Sequence, residues 1–390
     1  MSHRSKFIII IATLSFALTA FFCAHREPNA KASSEVTLNS KSNAPGPSQF
    51  YAQHNLMSDV AGLADHTDSN VVNAWGLDAS PTSPWWFSDN GTGKTTLYNV
   101  STGSITTFTV PGAGGAQGNP TGLVFNGGPG FVINNGGGTS AARFIFSSED
   151  GTISAFRGNP IITVVPNANA PAHGAIYKGL AIDSRTVGTQ LYATDFHNGK
   201  IDVFDTSFHL ITLAGSFTDK NLPPGFAPFG IQNIGGTLYV TYALQDEDAE
   251  DDVKGPGNGF VDAYDPSGNL IGRVASAGEL NSPWGLALAP DGFGRFSGDL
   301  LVGNFGDGRI HAFDPTTLTP AGEFAAVGLL HSAAGKPIKI DGLWALQFGH
   351  GTTSTSANGL TTTLFFTAGP NDEDHGLFGT IVLTEPPGRQ

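Results

Sequence analysis

The sequence is poor in cysteine and in charged side chains. Its single cysteine is Cys23, close to the N-terminus, so a disulfide framework and a cysteine-based metal site are excluded. Charged residues make up 13% of the chain, and 33 acidic side chains outnumber 19 basic ones. A formal net charge of −14 would repel phosphate backbones, so we do not expect nucleic-acid binding. Stability must come from a hydrophobic core and from closure of a sheet.

The sequence also lacks helical periodicity and the common catalytic motifs. No apolar repeat with a 3.6-residue period follows the N-terminal segment. The 52 glycines, 24 prolines and 28 phenylalanines instead favour many short strands joined by tight turns. G-x-S-x-G, H-E-x-x-H and Walker motifs are absent, which argues against an elbow-type hydrolase, a zincin and a P-loop enzyme.

An export signal is indicated by the first 32 residues. Arg4 and Lys6 precede an apolar run at 7–24, and Ala-Lys-Ala follows at 30–32, which is the order of a cleavable signal peptide. We predict a signal peptide at 1–32, a flexible linker at 33–49 and a secreted or periplasmic monomer without a transmembrane segment in its mature chain. The alternative is an uncleaved membrane anchor, because the apolar run is nearly long enough to span a bilayer.

One pattern recurs along the rest of the chain. Residues 281–314 contain three short apolar runs, GLALA, LLVGNF and RIHAFD, bounded by Gly, Pro, Asn or Asp. We identify six copies by a Gly-apolar pair in the first run, spaced about every 50 residues as in propeller blades. The six glycines are Gly76, Gly122, Gly179, Gly230, Gly285 and Gly342.

These repeats predict an all-β fold, a six-bladed β-propeller of four-stranded antiparallel blades. The propeller occupies residues 50–384, followed by a tail at 385–390. Segments at 104–110, 161–165, 210–217, 270–275 and 321–327 supply the fourth strands of the first five blades. The sixth copy has none, so we predict that residues 51–57 complete the last blade and close the ring. The alternative is that residues 51–57 form a loose arm.

The repeat signature is similar to that of a known family. SDNGTG (88–93), LYATDFHNGKIDVFD (191–205), NSPWGLALAP (281–290) and TAGPNDEDHGLFG (367–379) resemble NHL-type six-bladed β-propellers. The match is best with a family of exported, uncharacterised propeller proteins and covers about residues 52–382. This resemblance implies the fold and says little about activity, because propellers host enzymes, receptors and protein-binding hubs alike.

The meander topology predicts which end of the propeller carries a site. In each blade the turn between strands b and c lies on the same face as the link that enters strand a. We call this end the b–c face, and most of its turn residues are amides, carboxylates or imidazole. The candidate ligand-binding residues on it are Asn73, Trp75, Asn119, Asp195, His197, Asn198, Asn281, Trp284, Asp307, Asp341 and Asp372. The alternative is that the polar residues only form turns and the tryptophans only fill the core.

The largest departure from the repeat is an acidic loop at 245–257, QDEDAEDDVKGPG, on the same face. Hard cations take several carboxylate and carbonyl oxygens, so the loop could bind Ca²⁺ or another divalent cation. The candidate metal ligands are Asp246, Asp248, Glu250, Asp251 and Asp252. The loop lacks the glycine and the spaced glutamate of an EF-hand, and a solvated acidic loop is the alternative.

Two functional hypotheses follow. The first is a binding module that presents the b–c face to a protein, a glycan or a small ligand, with or without a divalent cation. The second is a metal-dependent lactonase- or lyase-like enzyme with its site at the mouth of the channel. Its metal ligands would be Asn73, Asn119, Asn281 and Asp341, and its general base His66 or His197. The sequence does not decide whether the protein is an enzyme.

Overall fold

Short antiparallel strands make up nearly all the regular structure. The computed structural model describes residues 49–166, 174–183 and 190–385. The predicted signal peptide, almost all of the linker and almost all of the tail lie outside these ranges. In the described part, three 3₁₀ turns occur at Asn90–Thr92, Ala113–Gly115 and Gly294–Phe296, and no helix is long and apolar enough to cross a membrane.

The strands form six blade sheets and one separate two-stranded hairpin. The first strands of the described part are β1 (Phe50–Ser58) and β2 (His66–Thr67). Blade 1 contains β3 (Ala74–Asp78), β4 (Trp85–Asp89), β5 (Lys94–Tyr98) and β6 (Ile105–Thr109). Blade 2 contains β7 (Pro120–Phe125), a hairpin of β8 (Val132–Asn134) and β9 (Thr139–Ala141), then β10 (Phe144–Ser148), β11 (Ile153–Phe156) and β12 (Ile162–Val165). Blade 3 contains β13 (Tyr177–Asp183), β14 (Gln190–Asp195), β15 (Lys200–Phe204) and β16 (Leu210–Ile211).

The last three blades repeat the meander. Blade 4 contains β17 (Phe226–Ile234), β18 (Thr237–Leu244), β19 (Phe260–Tyr264) and β20 (Leu270–Ser276). Blade 5 contains β21 (Pro283–Leu288), β22 (Leu300–Asn304), β23 (Ile310–Leu318) and β24 (Phe324–Leu329). Blade 6 contains β25 (Leu343–Phe348), β26 (Leu364–Ala368) and β27 (Leu377–Thr384). The predicted six-bladed propeller is confirmed, and the sequence patterns missed the small hairpin β8–β9 and the short strand β2.

The ring is closed by the N-terminal strand, as predicted. β1 pairs antiparallel with β27, from Phe50 opposite Thr384 to Ser58 opposite Leu377. Tyr51 also ties β1 to blade 5, because its backbone nitrogen donates to the carbonyl of His331 at 2.8 Å and its hydroxyl donates to that of Phe293 at 2.8 Å. The outer strand of the last blade is therefore supplied from the other end of the propeller domain.

The repeated glycine allows the innermost strands to approach each other. A Cβ on Gly230 would lie 2.2 Å from the carbonyl oxygen of Trp284 in the next blade, and one on Gly285 would lie 2.4 Å from that of Trp344. Both distances are far below van der Waals contact, so only glycine fits this spacing. Blade-to-blade packing thus requires glycine at these two positions.

The position assigned to the sixth glycine was wrong. Gly342 lies in the turn before β25, with a φ of 63°. The residue equivalent to the other glycines is Ala345, whose backbone nitrogen donates to the Thr367 hydroxyl at 3.0 Å, as that of Gly230 donates to Thr241 at 2.8 Å. The sequence motif shifted because blade 6 carries an alanine at this position and a turn glycine just before it.

Packing leaves little space inside the channel. The six innermost strands, β3, β7, β13, β17, β21 and β25, lie next to one another in a closed ring. The cavity along the axis is lined by apolar side chains such as Leu77, Leu180 and Leu286 and has a volume of about 20 Å³. This volume has room for about one water molecule, so the cavity is too small for an organic ligand.

Candidate functional site

The mouth of the channel on the b–c face is closed by aromatic side chains. In each innermost strand one residue precedes the glycine position, and these six residues are Trp75, Thr121, Lys178, Phe229, Trp284 and Trp344. Trp75 and Trp344 stack with ring centroids 3.6 Å apart, and Phe305 stacks on Trp344 at 3.9 Å. Trp284 meets both tryptophans edge-on. We call the four aromatic residues of this set, Trp75, Phe229, Trp284 and Trp344, together with Phe305, the aromatic plug.

A network of polar side chains lies against the plug. We call it the mouth cluster, and it consists of Asn73, Asn90, Glu149, Lys178, Asp251 and Glu373. The b–c turns of blades 1, 2, 4 and 6 supply four members, and two come from the start of strand a in blades 1 and 3. The meander topology brings them together, because it directs all these segments to one end of the propeller.

Lys178 is the centre of this cluster. Its side chain is 2% exposed, and its Nζ lies 2.6 Å from Glu149 Oε1 and 3.0 Å from Asp251 Oδ1. The amine also lies 5.4 Å from the centroid of the Trp75 ring, within the range of a cation–π contact. Burial by itself would lower the pKa of Lys178, but the negative charges of Glu149 and Asp251 outweigh it and raise the pKa above its usual value. The lysine is therefore a fixed positive charge.

Asn73 joins the plug to a second carboxylate. Its Oδ1 accepts a hydrogen bond from Trp344 Nε1 at 2.9 Å, and its Nδ2 donates to Glu373 Oε2 at 2.6 Å. Nδ2 also lies 3.3 Å from Asn90 Oδ1, and Asn90 in turn donates to Glu149 Oε2 at 2.9 Å. The two amides thus link Glu373 to Glu149 in one continuous hydrogen-bonded chain.

Glu373 titrates near neutral pH. It belongs to a turn in which Asn371, Asp372 and Glu373 all have positive φ, a left-handed path that side chains seldom adopt in succession. Burial raises the pKa of Glu373 to about 7, the Asn73 hydrogen bond opposes the rise, and the charge of Glu149 adds to it. The mouth cluster therefore holds more carboxylates than the single amine of Lys178 neutralises.

The acidic loop is folded across this face. Asp251 reaches Lys178, and Lys254 reaches blade 6, where its Nζ lies 3.2 Å from Asp372 Oδ1. Asn281 Oδ1 accepts from the backbone of Gly255 at 2.7 Å, and His197 Nδ1 lies 3.2 Å from the carbonyl of Ala249. Contacts with blades 3, 5 and 6 therefore hold the loop against the mouth cluster.

The candidate metal ligands in this loop contact different partners and do not point to a common centre. Asp246 Oδ1 accepts from the backbone of Glu250 at 2.9 Å, whereas Asp251 turns to Lys178. Asp252 is turned inward, and burial raises the pKa of its carboxyl. Asp248 and Glu250 are exposed. Among the residues that the structure describes, no group of three or more His, Cys, Asp or Glu side chains could hold a metal ion. A bound divalent cation stays a prediction.

Four of the remaining candidates form turns or are exposed. Asp195 and Asp307 accept hydrogen bonds within their own turns, from Asn198 Nδ2 at 2.8 Å and from the Arg309 backbone at 3.1 Å. This matches the alternative that they form turns. Asn198 and Asn119 are exposed.

Two further carboxylates lie at the surface of blade 6. Asp372 is 96% exposed at its side chain, and Asp341 is exposed and accepts from the backbone of Asn371 at 2.9 Å. Both belong to the b–c face without joining the mouth cluster.

His66 is not at the mouth of the channel, where we expected it. It lies on β2, which pairs with β1 as the outermost strand of blade 6, and its ring contacts Tyr98 at 5.7 Å. The short pairing with β1 holds this segment at the outer edge of the sheet. His66 is therefore far out on the blade from the innermost strands that carry the plug.

Four members of the mouth cluster were not among the predicted site residues, namely Asn90, Glu149, Lys178 and Glu373. Lys178 occupies a position that is aromatic in four of the other five copies, and this exception was the available signal. Glu373 stands in the run NDED, and nothing in the sequence distinguishes its carboxylate from the neighbouring ones. The left-handed turn that directs it inward appears only in the backbone.

Comparisons with known proteins support the fold and define relatives. No protein-family model matches the chain, so the resemblance to NHL-type propellers stays a prediction. A structural genomics protein of unknown function from Bacteroides thetaiotaomicron has a similar structure, with a TM-score of 0.52 at 13% identity, over 86% of this chain and 76% of that one. At this identity the likeness shows the propeller fold alone.

Two relatives are much more similar to this chain in sequence. "Uncharacterized protein L690" of Acanthamoeba polyphaga mimivirus is 31% identical over 338 residues, which covers 84% of this chain and 84% of the relative. "Uncharacterized protein R648" of the same virus is 33% identical over 340 residues, which covers 84% of this chain and 78% of the relative. Identity of this level over most of both chains places the protein in one family with these two mimivirus proteins.

Proposed function

We propose that the protein is a binding module whose b–c face receives a positively charged group of a partner protein, a glycan or a small ligand. The observation that carries this proposal is the surplus of carboxylates in the mouth cluster. Glu149 and Asp251 contact the one buried amine and Glu373 adds a third carboxylate, and burial, with the charge of Glu149 adding to it, raises the pKa of Glu373 to about 7.

A bound cation would neutralise part of this excess negative charge. A positive charge next to Glu373 favours its ionised form, so binding would release the proton that Glu373 holds. The exchange makes binding stronger as the pH rises from 6 to 8. A negatively charged ligand would meet the opposite effect and the exposed carboxylates of the acidic loop.

The shape of the site favours contact at the surface over deep insertion. The aromatic plug closes the channel, and the cavity behind it has only about 20 Å³. The side chain of Asp251 in the mouth cluster is 75% exposed, and that of Asp372 beside the cluster is 96% exposed. A protruding lysine or arginine of a partner, or the amine of a small ligand, fits this arrangement.

A divalent cation is the second positive species to consider. The acidic loop keeps Glu247, Asp248 and Glu250 exposed, and hard cations bind such oxygens. The carboxylates of the mouth cluster itself are separated by the amine of Lys178, which occupies the place that a shared metal ion would need. We therefore assign any bound Ca²⁺ to the loop and the organic cation to the mouth cluster.

The test is calorimetric titration with a hexalysine peptide, a hexaglutamate peptide and CaCl₂. We expect hexalysine to bind, hexaglutamate not to bind, and Glu373→Gln and Asp251→Asn each to weaken hexalysine at least fivefold at pH 8. Asp291→Asn is the matched control, because it removes the same charge from an exposed residue in the a–b turn of blade 5, on the opposite face. Equal effects of all three substitutions would mean that hexalysine binds only by general charge attraction, and this result would refute the proposal.

A second candidate function follows from the same carboxyl group. A glutamate with a pKa of about 7 is suited to general acid–base catalysis at neutral pH, and Lys178 supplies a fixed positive charge in the same cluster. The lactonase- or lyase-like hypothesis would then use Glu373 as the base in place of His66. Hydrolysis of a panel of lactones, with a rate that inflects near pH 7 and vanishes in Glu373→Gln, would favour this enzyme over the binding module.

Export is also part of the proposal. The signal peptide at 1–32 rests on the sequence alone. N-terminal sequencing of the protein recovered from the medium or periplasm of an expressing cell tests it, with residue 33 expected at the new terminus. Recovery of the full-length chain in the membrane fraction would support the anchor instead.

A further inference from the structure

We infer that the groove between blades 4 and 5 is a second binding site, which takes a small molecule with an apolar body and a primary amine. The groove has a volume of about 460 Å³. Ligand pockets in proteins span about 300 to 1,000 Å³, so the groove can hold a molecule of ten to twenty heavy atoms. It is separate from the aromatic plug and shares no residue with the mouth cluster.

The walls of the groove are mostly apolar. The end of β20 and the link that follows it supply Ala275 and Leu280, and blade 5 supplies Phe313, Phe324 and Leu329. β20 and β24 make few contacts with each other, so the space between these two outer strands stays open. The apolar lining selects for a hydrocarbon body, which would gain free energy by leaving water.

The polar groups at the groove are acidic. Glu279 and Glu323 line it, and no lysine or arginine does. Glu323 Oε1 accepts from the Ser276 hydroxyl at 2.5 Å, which fixes this carboxylate at the wall. The Arg273 guanidinium donates to the Ser276 hydroxyl oxygen at this wall and is already paired with Asp219 and Asp262. Arg295 donates to the backbone carbonyl of Val327 on β24 at 3.1 Å. A cationic group is therefore the complement of the groove.

His311 supplies a neutral polar group on the same wall. The residue is 5% exposed, and its Nε2 has no hydrogen-bond partner among the described residues. Burial lowers the pKa of His311, and the charges of Asp307 and Glu279 only partly oppose this effect. The ring is thus neutral at pH 7 and does not repel an amine. A buried polar atom without a partner costs about 1 to 3 kcal/mol, which a small shift of the ring toward a ligand would recover.

The test uses three probes with the same ring and different charge. They are 1-naphthylmethylamine, the neutral 1-naphthalenemethanol and the anionic 1-naphthaleneacetic acid, titrated into the full-length protein at pH 7 and followed by calorimetry. We expect the amine to bind at least tenfold more tightly than the alcohol, and the acid not to bind. The double variant Glu279→Gln with Glu323→Gln should reduce the amine to the affinity of the alcohol.

Two further variants distinguish binding in the groove from general attraction of an amine to an acidic protein. Ala326→Trp places a large side chain on the exposed strand of the groove wall and should abolish binding of both the amine and the alcohol. Glu247→Gln removes one charge from the acidic loop and should leave the amine unaffected. Equal binding of amine and alcohol, retention of binding in Ala326→Trp, or no binding of the amine at 1 mM would each overturn the inference.

The two proposals can fail independently. The hexalysine titration reports on Glu373 and Asp251, whereas the naphthyl probes report on Glu279 and Glu323. Loss of naphthylmethylamine binding in Glu373→Gln would mean that the probe sits at the mouth cluster, and the groove would then have no assigned ligand.

Discussion

Replacement of Glu373 by glutamine should make the protein more stable at alkaline pH and leave it unchanged at acidic pH. The pKa of Glu373 is about 7 in the folded protein against 4.5 for an ordinary glutamate. The folded state therefore binds its proton more tightly than the unfolded state does. The stabilisation from that proton is complete below pH 4.5 and is lost as the pH rises through 7.

The size of the effect follows from the shift. A difference of 2.5 pKa units corresponds to about 3 kcal/mol, and partial exposure of the side chain reduces it to about 2 to 3 kcal/mol. Glutamine carries no charge at any pH and can still accept the hydrogen bond from Asn73. We expect Glu373→Gln to gain about 2 to 3 kcal/mol over the native protein at pH 8 and less than about 1 kcal/mol at pH 5.

The assay is urea unfolding at pH 5, 6, 7 and 8, followed by tryptophan fluorescence. The plug tryptophan Trp344 donates to Asn73, so the signal reports on the neighbourhood of the substituted residue. Glu247→Gln is the control, because its carboxylate is exposed on the same face and should show no pH-dependent gain. A difference between Glu373→Gln and the native protein that stays constant from pH 5 to pH 8 would refute the reasoning.

Five more substitutions, at four positions, probe the fold and the mouth cluster. Gly285→Ala should destabilise the protein by about 2 to 3 kcal/mol, because its Cβ would lie 2.4 Å from the Trp344 carbonyl, whereas Ala345→Gly at the equivalent position of blade 6 should cost at most about 1 kcal/mol. Tyr51→Ala should cost about 3 to 5 kcal/mol by opening the ring closure, and Tyr51→Phe about 1 kcal/mol for the hydroxyl alone. Lys178→Met should cost about 3 to 5 kcal/mol, because it leaves Glu149 without its partner at the plug.

Denaturant unfolding measures the stability of all five variants, and each comparison has its own contrary result. Equal losses in Gly285→Ala and Ala345→Gly would contradict the role of the close approach. A Tyr51→Ala variant as stable as the native protein would show that the ring does not depend on β1. The double variant Lys178→Met with Glu149→Gln should recover part of the loss, and failure to recover any would mean that Lys178 acts mainly through its packing on Trp75.

Much of the architecture could be predicted from the sequence. The six copies, the four strands of most blades and the closure of the ring by residues 51–57 follow from strand patterns that alternate with turn residues. These features depend on local propensity and on counting strands, so tertiary contacts are not needed to find them. The sixth glycine was misplaced because a turn glycine, Gly342, stood near the true position, which Ala345 fills.

The candidate site was predictable only in outline. The topology places the b–c turns and the links to strand a on one face, and this placement put Asn73, the plug tryptophans and the acidic loop together. It could not indicate which carboxylates belong to the mouth cluster, because most of them share the sequence environment of a polar turn. It also misplaced His66, since the pairing of β2 with β1 is set by the path of the chain outside the repeats.

The sequence by itself determined the number of blades, the way the ring closes and the acidic character of one face. Only the tertiary structure decided that Lys178 stands among aromatic side chains at the mouth of the channel and that Glu373 turns inward to share its neutralising charge. The reason is physical. Strand and turn propensities act over a few neighbouring residues, whereas the pKa of a carboxyl and the partner of a buried amine depend on charges that five different blades bring within a few ångströms of each other.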